Sequence, residues 1–238
     1  MPYLNWIRDE DLINAVKHII LTAQAAKEKS EVKFHRNVID PFSALFQITG
    51  FNLDGATWLT SEKTRQAEKA LQNHIGDFHQ KILGEVDGWR NLGIGGNMDL
   101  KSDERRLLAE VKNKHNTVTG GSLFDVYKNL EGLVMPNSSI YNGYTAYFVQ
   151  IIPKRPERYN IPFTPSNRKT STRVHANELI RIIDGASFYE LVTGEEHALK
   201  DLFDVIPDVI ESITERNLSN HDREVMNDFF RKAYIGDN

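Results

Sequence analysis

Glu110 and Lys112 occupy alternate positions in the short apolar run Leu107-Leu108-Ala109-Glu110-Val111-Lys112-Asn113-Lys114. On a β-strand, residues two apart project from one face, so a carboxylate and an ammonium would stand side by side there. Asp99 lies eleven residues upstream, after a glycine-rich stretch, and could face them from a neighbouring strand. Two acids and a lysine at one spot suit a divalent cation and an attacking water. Mg²⁺ prefers oxygen ligands, keeps several waters, and is held by one or two carboxylates plus a substrate phosphate. It lowers the pKa of bound water and offsets transition-state charge, while a nearby lysine orients the water. The trio points to metal-dependent hydrolysis, of a phosphodiester above all, with the Val111 carbonyl as a further candidate ligand. Taken alone, a Glu-x-Lys on a strand serves equally well as a solvated or cross-strand ion pair.

The elements that must position these residues follow from apolar periodicity. Leu4, Ile7, Leu12, Val16, Ile19 and Ile20 recur near helical spacing and predict an amphipathic helix over 4–29. Pro41, after Asp40, starts a short helix through Phe46. Thr60 or Ser61, followed by acids, opens a helix over 61–83 with Leu71, Ile75, Phe78 and Ile82 as its stripe. Gly84 ends it. A first strand is expected over 86–89, a turn over 92–96, and a hairpin of 98–100 and 106–112 joined by the charged turn 101–105. A helix over 122–135 stops at Pro136, and 144–152 is the strongest strand pattern. The segment 153–174 carries four prolines and is long for a plain connection, which marks it as functional or ordered by a partner. From 176 onward the patterns are helical: 177–184, 187–192, 195–215 and 220–233. Strand and helix signals alternate, so one α/β domain is the economical expectation. It would comprise an N-terminal helical part (1–60), a core (61–152), a basic segment (153–175) and C-terminal helices (176–238).

The chain has 238 residues, 40% of them hydrophobic, and no cysteine. Disulfides, thiolate metal sites and cysteine nucleophiles are thereby excluded, in keeping with a cytoplasmic setting. The polar start does not read as a signal peptide, and no apolar run approaches the roughly 20 residues that span a bilayer. A net charge of −4 conceals a strong asymmetry: 187–238 holds twelve acids against five bases, whereas 154–175 holds six bases against Glu157 alone. That basic segment is compatible with a face that meets DNA, or with a solvated loop. The glycines at 93–96 lack the Gly-Lys-Ser/Thr of a P-loop. Gly120-Gly121-Ser122 is not a nucleophile elbow. His35, His74 and His79 are too scattered for zinc.

The order of elements raises the weight of the trio. A helix precedes a hairpin carrying Asp99 and then Glu110-Val111-Lys112, and a helix and an apolar strand follow. In this order the chain resembles the PD-(D/E)XK nuclease core, with Met98 where proline is usual. Three segments, 40–46 (DPFSALF), 71–84 (LQNHIGDFHQKILG) and 109–117 (AEVKNKHNT), resemble type II restriction endonucleases that recognise GGNCC. The resemblance implies a central mixed sheet flanked by helices, with Asp99 and Glu110 as Mg²⁺ ligands and Lys112 as the water-activating residue. It implies double-stranded DNA as substrate, a homodimer, and a cognate DNA methyltransferase encoded nearby. Many relatives also place a glutamate on the first core helix. A helical wheel puts Glu68 at the edge of the apolar stripe and Glu62 on the far side, so Glu68 is the candidate accessory acid. Asn113, Lys114, His115 and Asn116 are candidates for phosphate or base contact. Arg155, Arg168, Lys169 and Arg173 suit guanine O6 and N7, and Arg158 belongs to the same basic segment. Two alternatives stay open: a repair or junction-resolving nuclease, and a non-catalytic DNA-binding protein on the same fold.

Overall fold

The computed structural model describes residues 1–32, 34–93, 98–119, 122–167 and 169–236. These divide into two units, one of Met1–Asn14 with His79–Asn238 and one of Ala15–Phe78. The helices are α1 (Asp9–Val32), α2 (Pro41–Gly50), α3 (Gly55–Gly84), α4 (Leu123–Val134), α5 (Gly185–Thr193), α6 (Ala198–Ile213) and α7 (Asn220–Tyr234). No described helix is long and apolar enough to cross a membrane.

The larger unit is built on a mixed sheet. Its strands are β1 (Arg90–Asn91), β2 (Leu100–Ser102), β3 (Leu107–Lys114), β4 (Thr145–Ile152), β5 (Asn160–Pro162) and β8 (Ile180–Asp184), in the order β1-β2-β3-β4-β8-β5. The β3, β4 and β8 strands run parallel, and antiparallel neighbours close both edges. This matches the expected central mixed sheet with helices. The parallel step from β3 to β4 requires a crossover, which α4 supplies. Tyr127, Leu130 and Val134 of α4 bury Leu108, Ala146, Phe148 and Ile180 on one face of the sheet. Strand alternation turns Tyr147 to the other face, where its ring packs 6.1 Å from Phe188 of α5.

Three expectations are corrected. The stretch 177–184, expected to be helical, contains β8, paired to β4 through Ala146↔Ile180 to Gln150↔Asp184. A short apolar run such as Ile180-Arg-Ile-Ile does not distinguish helix from strand by period, and an open parallel edge beside β4 captures it as a strand. Residues 86–89 are not a strand; β1 begins at Arg90, while Trp89 is buried ahead of it. The α3 helix begins at Gly55 rather than 61, because Asp54 caps it by accepting from the Thr57 N–H at 2.8 Å. That capping holds the Asp54 carboxyl below its usual range. The long segment after β4 contains β5 and a small hairpin of β6 (Ser166–Asn167) and β7 (Thr172–Arg173).

His79 lies near the end of α3 with Nδ1 2.8 Å from the hydroxyl of Tyr189, which has no exposed surface. Burial pushes the imidazole down to about 4. A neutral ring can accept a hydrogen bond from the phenol O–H at Nδ1. Between pH 6.5 and 4 the unfolded chain therefore binds a proton that the folded chain does not. Stability is complete above that window and falls as pH drops through it, by up to about 3 kcal/mol. Urea unfolding of the wild type and of His79→Gln at pH 7 and pH 4.5 checks this. The variant, which keeps an acceptor but not a titrating ring, is expected to lose less stability over the interval. An equal loss in both would remove His79 as its source.

Candidate active site

Asp99 stands immediately before β2 and is attached to β3 on both sides of Glu110. Its backbone N–H donates to the Ala109 carbonyl at 3.1 Å, and its Oδ2 accepts from the Val111 N–H at 2.7 Å. Glu110 and Lys112 share one face of β3, with Nζ 2.5 Å from Oε1 and both side chains about a quarter exposed. The buried flanking positions Leu108, Ala109 and Val111 anchor the strand, so its alternate polar positions are held in place by packing. A pocket of about 540 Å³ beside Glu110 is lined by Met98, Val126, Lys128, Leu130 and Leu133.

The sheet register adds two residues that sequence reasoning missed. Lys112 is paired with Gln150, and Gln150 with Asp184, across three parallel strands. Gln150 and Asp184 are both buried. Tyr159 links them: its hydroxyl donates to Gln150 Oε1 at 2.8 Å and its N–H to Asp184 Oδ2 at 2.6 Å. Asp184 Oδ1 also accepts from the Ser187 N–H at 3.0 Å and so caps α5. Burial and the neighbouring Asp184 raise the Tyr159 phenol, which stays protonated. The row lies toward the carboxyl ends of the parallel strands, where open α/β sheets bind ligands. One signal was available: Gln150 is a lone amide inside the apolar run Tyr147-Phe-Val-Gln-Ile-Ile.

The sequence model of the Eco47II restriction endonuclease family matches residues 4–215. The chain belongs to that family. It is 51% identical to the type II restriction enzyme Eco47II of Escherichia coli over 98% of this chain and all of that one. It is 34% identical to the type II restriction enzyme Sau96I of Staphylococcus aureus, over 86% of this chain and 78% of that one. Type II restriction endonuclease activity follows, and with it double-stranded DNA as substrate and a general need for divalent metal ions. The alternatives of a repair nuclease and a non-catalytic binding protein are set aside.

The remaining candidates of this family member fall as follows. Strand alternation puts Asn113 on the opposite face of β3 from Glu110 and Lys112. Asn113 Oδ1 and His115 Nδ1 are buried without a hydrogen-bond partner among the described residues, although the His115 backbone N–H donates to the Ile152 carbonyl at 3.0 Å. Lys114 and Asn116 are exposed. In the basic segment, Lys169 and Arg173 are exposed on the β6–β7 hairpin, and the Lys169 N–H donates to Asn167 Oδ1 at 2.9 Å. Arg155 is exposed, 3.7 Å from Glu157. Arg158 is tied to Glu190 and Ser187. Arg168 lies outside the described residues.

Glu68 belongs to the smaller unit. It is exposed on α3 and lines a groove with Lys27, Glu31, Thr64 and Leu71. Glu62, placed on the far side by the helical wheel, is instead buried. It accepts from Arg65 Nε and Nη2 at 2.6 Å and from Gln66 at 3.0 Å. The Arg65 hydrogen bond holds its carboxyl below the usual range. An arginine fork neutralises a carboxylate well enough to bury it, and a wheel drawn from one helix does not register that.

The donor set fits a hard cation. Among the described residues no group of three or more acidic, histidine or cysteine side chains converges. Two carboxylates with waters and a phosphate oxygen are the usual complement for Mg²⁺, and Asp99 and Glu110 are two carboxylates on adjoining backbone.

Proposed function

We propose that the enzyme hydrolyses phosphodiester bonds of double-stranded DNA at GGNCC, on a PD-(D/E)XK core, with Mg²⁺ held by Asp99 and Glu110. The observation that carries this reading is the attachment of Asp99 to β3 on both sides of Glu110, with Lys112 2.5 Å from that carboxylate. Bound Mg²⁺ supplies a water of lowered pKa and offsets charge at the phosphorus. Lys112 Nζ, a three-donor ammonium, orients the attacking water. Water attacks in line and the P–O3′ bond breaks. The attacking water gives up a proton to solvent, the departing O3′ takes one up from solvent, and the products are a 5′-phosphate and a 3′-hydroxyl. Glu68 is the accessory acid in this reading. The site GGNCC is supported by the likeness of segments 40–46, 71–84 and 109–117.

A palindromic site cut in both strands calls for two active sites related by a two-fold axis, hence a homodimer. A cognate DNA methyltransferase encoded nearby protects the host's own sites, and both proteins work in the cytoplasm. Digestion of a mapped plasmid with Mg²⁺, followed by sequencing of the fragment ends, tests the reading. Ends at GGNCC carrying 5′-phosphates are expected, with no cutting in a chelator. Ends elsewhere, or cutting that survives chelation, would overturn it.

Asn113, Lys114, His115 and Asn116, at the end of β3, and Arg155, Arg168, Lys169 and Arg173 contact DNA in this reading. Phosphate contacts release counterions, so each one lost flattens the dependence of affinity on salt. Neutralising Arg168, Lys169 and Arg173 together is expected to weaken binding at least tenfold at about 0.1 M salt and to reduce the log–log salt slope by roughly two to three. An unchanged slope would remove these three residues from the DNA interface.

A further inference from the structure

The α2 helix is well built at its ends and open along one side. Asp40 Oδ1 accepts from the N–H groups of Phe42 and Ser43 at 3.0 and 3.2 Å, and Pro41 occupies the first turn. Trp58 Nε1 donates to Gln47 Oε1 at 3.0 Å and ties the second half to α3. None of its ten residues is buried. Phe42, Leu45 and Phe46 at helical spacing, and Phe51 just beyond, are 72, 59, 71 and 70% exposed. A helix this short draws its stability from packing; Ala44, Gln47 and Ile48 are half-buried, and the opposite side, with Phe42, Leu45 and Phe46, is open.

Charge and shape indicate the occupant. Pro41–Gly50 contains no charged residue, so α2 has nothing to hold a polyanion and nothing to repel a copy of itself. Four large apolar side chains at this exposure present on the order of 400 Å². That is about half of the roughly 800 Å² each partner contributes to a stable interface, and it suits the apolar centre of one. Beside the ridge, a groove of about 780 Å³ is lined by Phe51, Ala56, Thr57 and Thr60, with Arg65 and Glu68 as charged residues. A two-fold contact requires one surface to carry both projection and recess, and this surface carries both.

We propose that α2 is the centre of the homodimer interface, with Phe42, Leu45 and Phe46 of one copy seated in the groove beside Phe51 of the other. The proposal rests on the homodimer reading above. It gives the 40–46 segment a role in assembly.

Sedimentation equilibrium of the full chain tests it, with wild type, Phe42→Ser/Phe46→Ser, and Leu45→Cys as samples. Wild type is expected to be a dimer. The double variant is expected to keep its circular dichroism spectrum and to dissociate at least about thirtyfold more readily, since a buried aromatic anchor accounts for roughly that factor. The chain has no cysteine, so Leu45→Cys introduces a single thiol, and a short bismaleimide is expected to join two copies through it. A dimer that the double variant leaves intact and that Leu45→Cys does not cross-link would overturn the surface and leave the homodimer standing. A wild type that is monomeric at every concentration would overturn both. If the double variant loses its fold, cross-linking of Leu45→Cys decides.

Discussion

Asp99→Ala and Lys112→Ala are each expected to reduce strand cleavage by at least about a thousandfold while affinity for the duplex stays within roughly threefold. Removing a group positioned on the attacking water typically costs about 10²–10⁴-fold, and loss of a metal ligand would remove the charge stabilisation that the ion supplies. Lys112→Ala leaves Glu110 without its 2.5 Å partner, yet both side chains reach solvent. The folding cost is therefore small, under about 1 kcal/mol. Asp99→Ala acts differently, because it also frees the Val111 N–H now held by Oδ2 at 2.7 Å. A modest stability loss of about 1 kcal/mol is expected there. Lys112→Arg is not expected to rescue, since a planar fork does not replace a compact ammonium on a flexible stem. Single-turnover cleavage of a short duplex with Mg²⁺, and binding without it, measure the two quantities. Cutting by either alanine variant within tenfold of wild type would end the assignment of that residue.

Gly185→Ala is expected to destabilise the fold by about 3 kcal/mol or more and to abolish activity with it. An added Cβ would lie 2.3 Å from the Ile151 carbonyl oxygen and 2.7 Å from its Cα. Both are backbone atoms of β4, so no side chain can turn aside. Overpacking a core commonly costs 1–3 kcal/mol even where side chains give way. The displaced strand carries Gln150, and the displaced helix start is the turn capped by Asp184. For a chain of this size the melting temperature would fall by roughly 6–12 °C. Gly76→Ala is the control: nothing lies within 4 Å of its added Cβ, and Ala is favoured over Gly inside a helix by roughly 0.5–1 kcal/mol. Thermal unfolding of both variants in parallel checks the contrast. A Gly185→Ala protein that melts with wild type would show that β4 and α5 can separate at little cost.

The parts of the fold legible in the sequence are those governed by local rules. Helical patterning located α4 and α7 to within a residue or two, and Pro136 marked the end of α4; the Ser219–Asp222 capping box that begins α7 is local in the same way. The strand β8 was not legible in this way. Ile180-Arg-Ile-Ile-Asp184 gains its hydrogen bonds from β4, some thirty residues earlier, and from β5, about twenty residues earlier, not from its own neighbours in sequence. The burial of Glu62 was hidden for the same kind of reason. Its own turn supplies Arg65 and Gln66, but burial depends on packing that one helix's periodicity does not show.

The amino-acid sequence by itself determined the chemistry on offer: two carboxylates and a lysine at a spacing that puts Glu110 and Lys112 on one strand face. It also carried a resemblance to type II restriction endonucleases, which the family match bears out. Tertiary structure alone decided how that set is held and what stands beside it. Asp99 is fastened to β3 by two hydrogen bonds around Glu110, and register aligns Gln150 and Asp184 with Lys112. It also parted the contiguous polar run 113–116, with Asn113 turned from the face that carries Lys112. Side-chain type and spacing are properties of the chain. Register, burial and facing are fixed only when distant strands exchange backbone hydrogen bonds and exclude water between them.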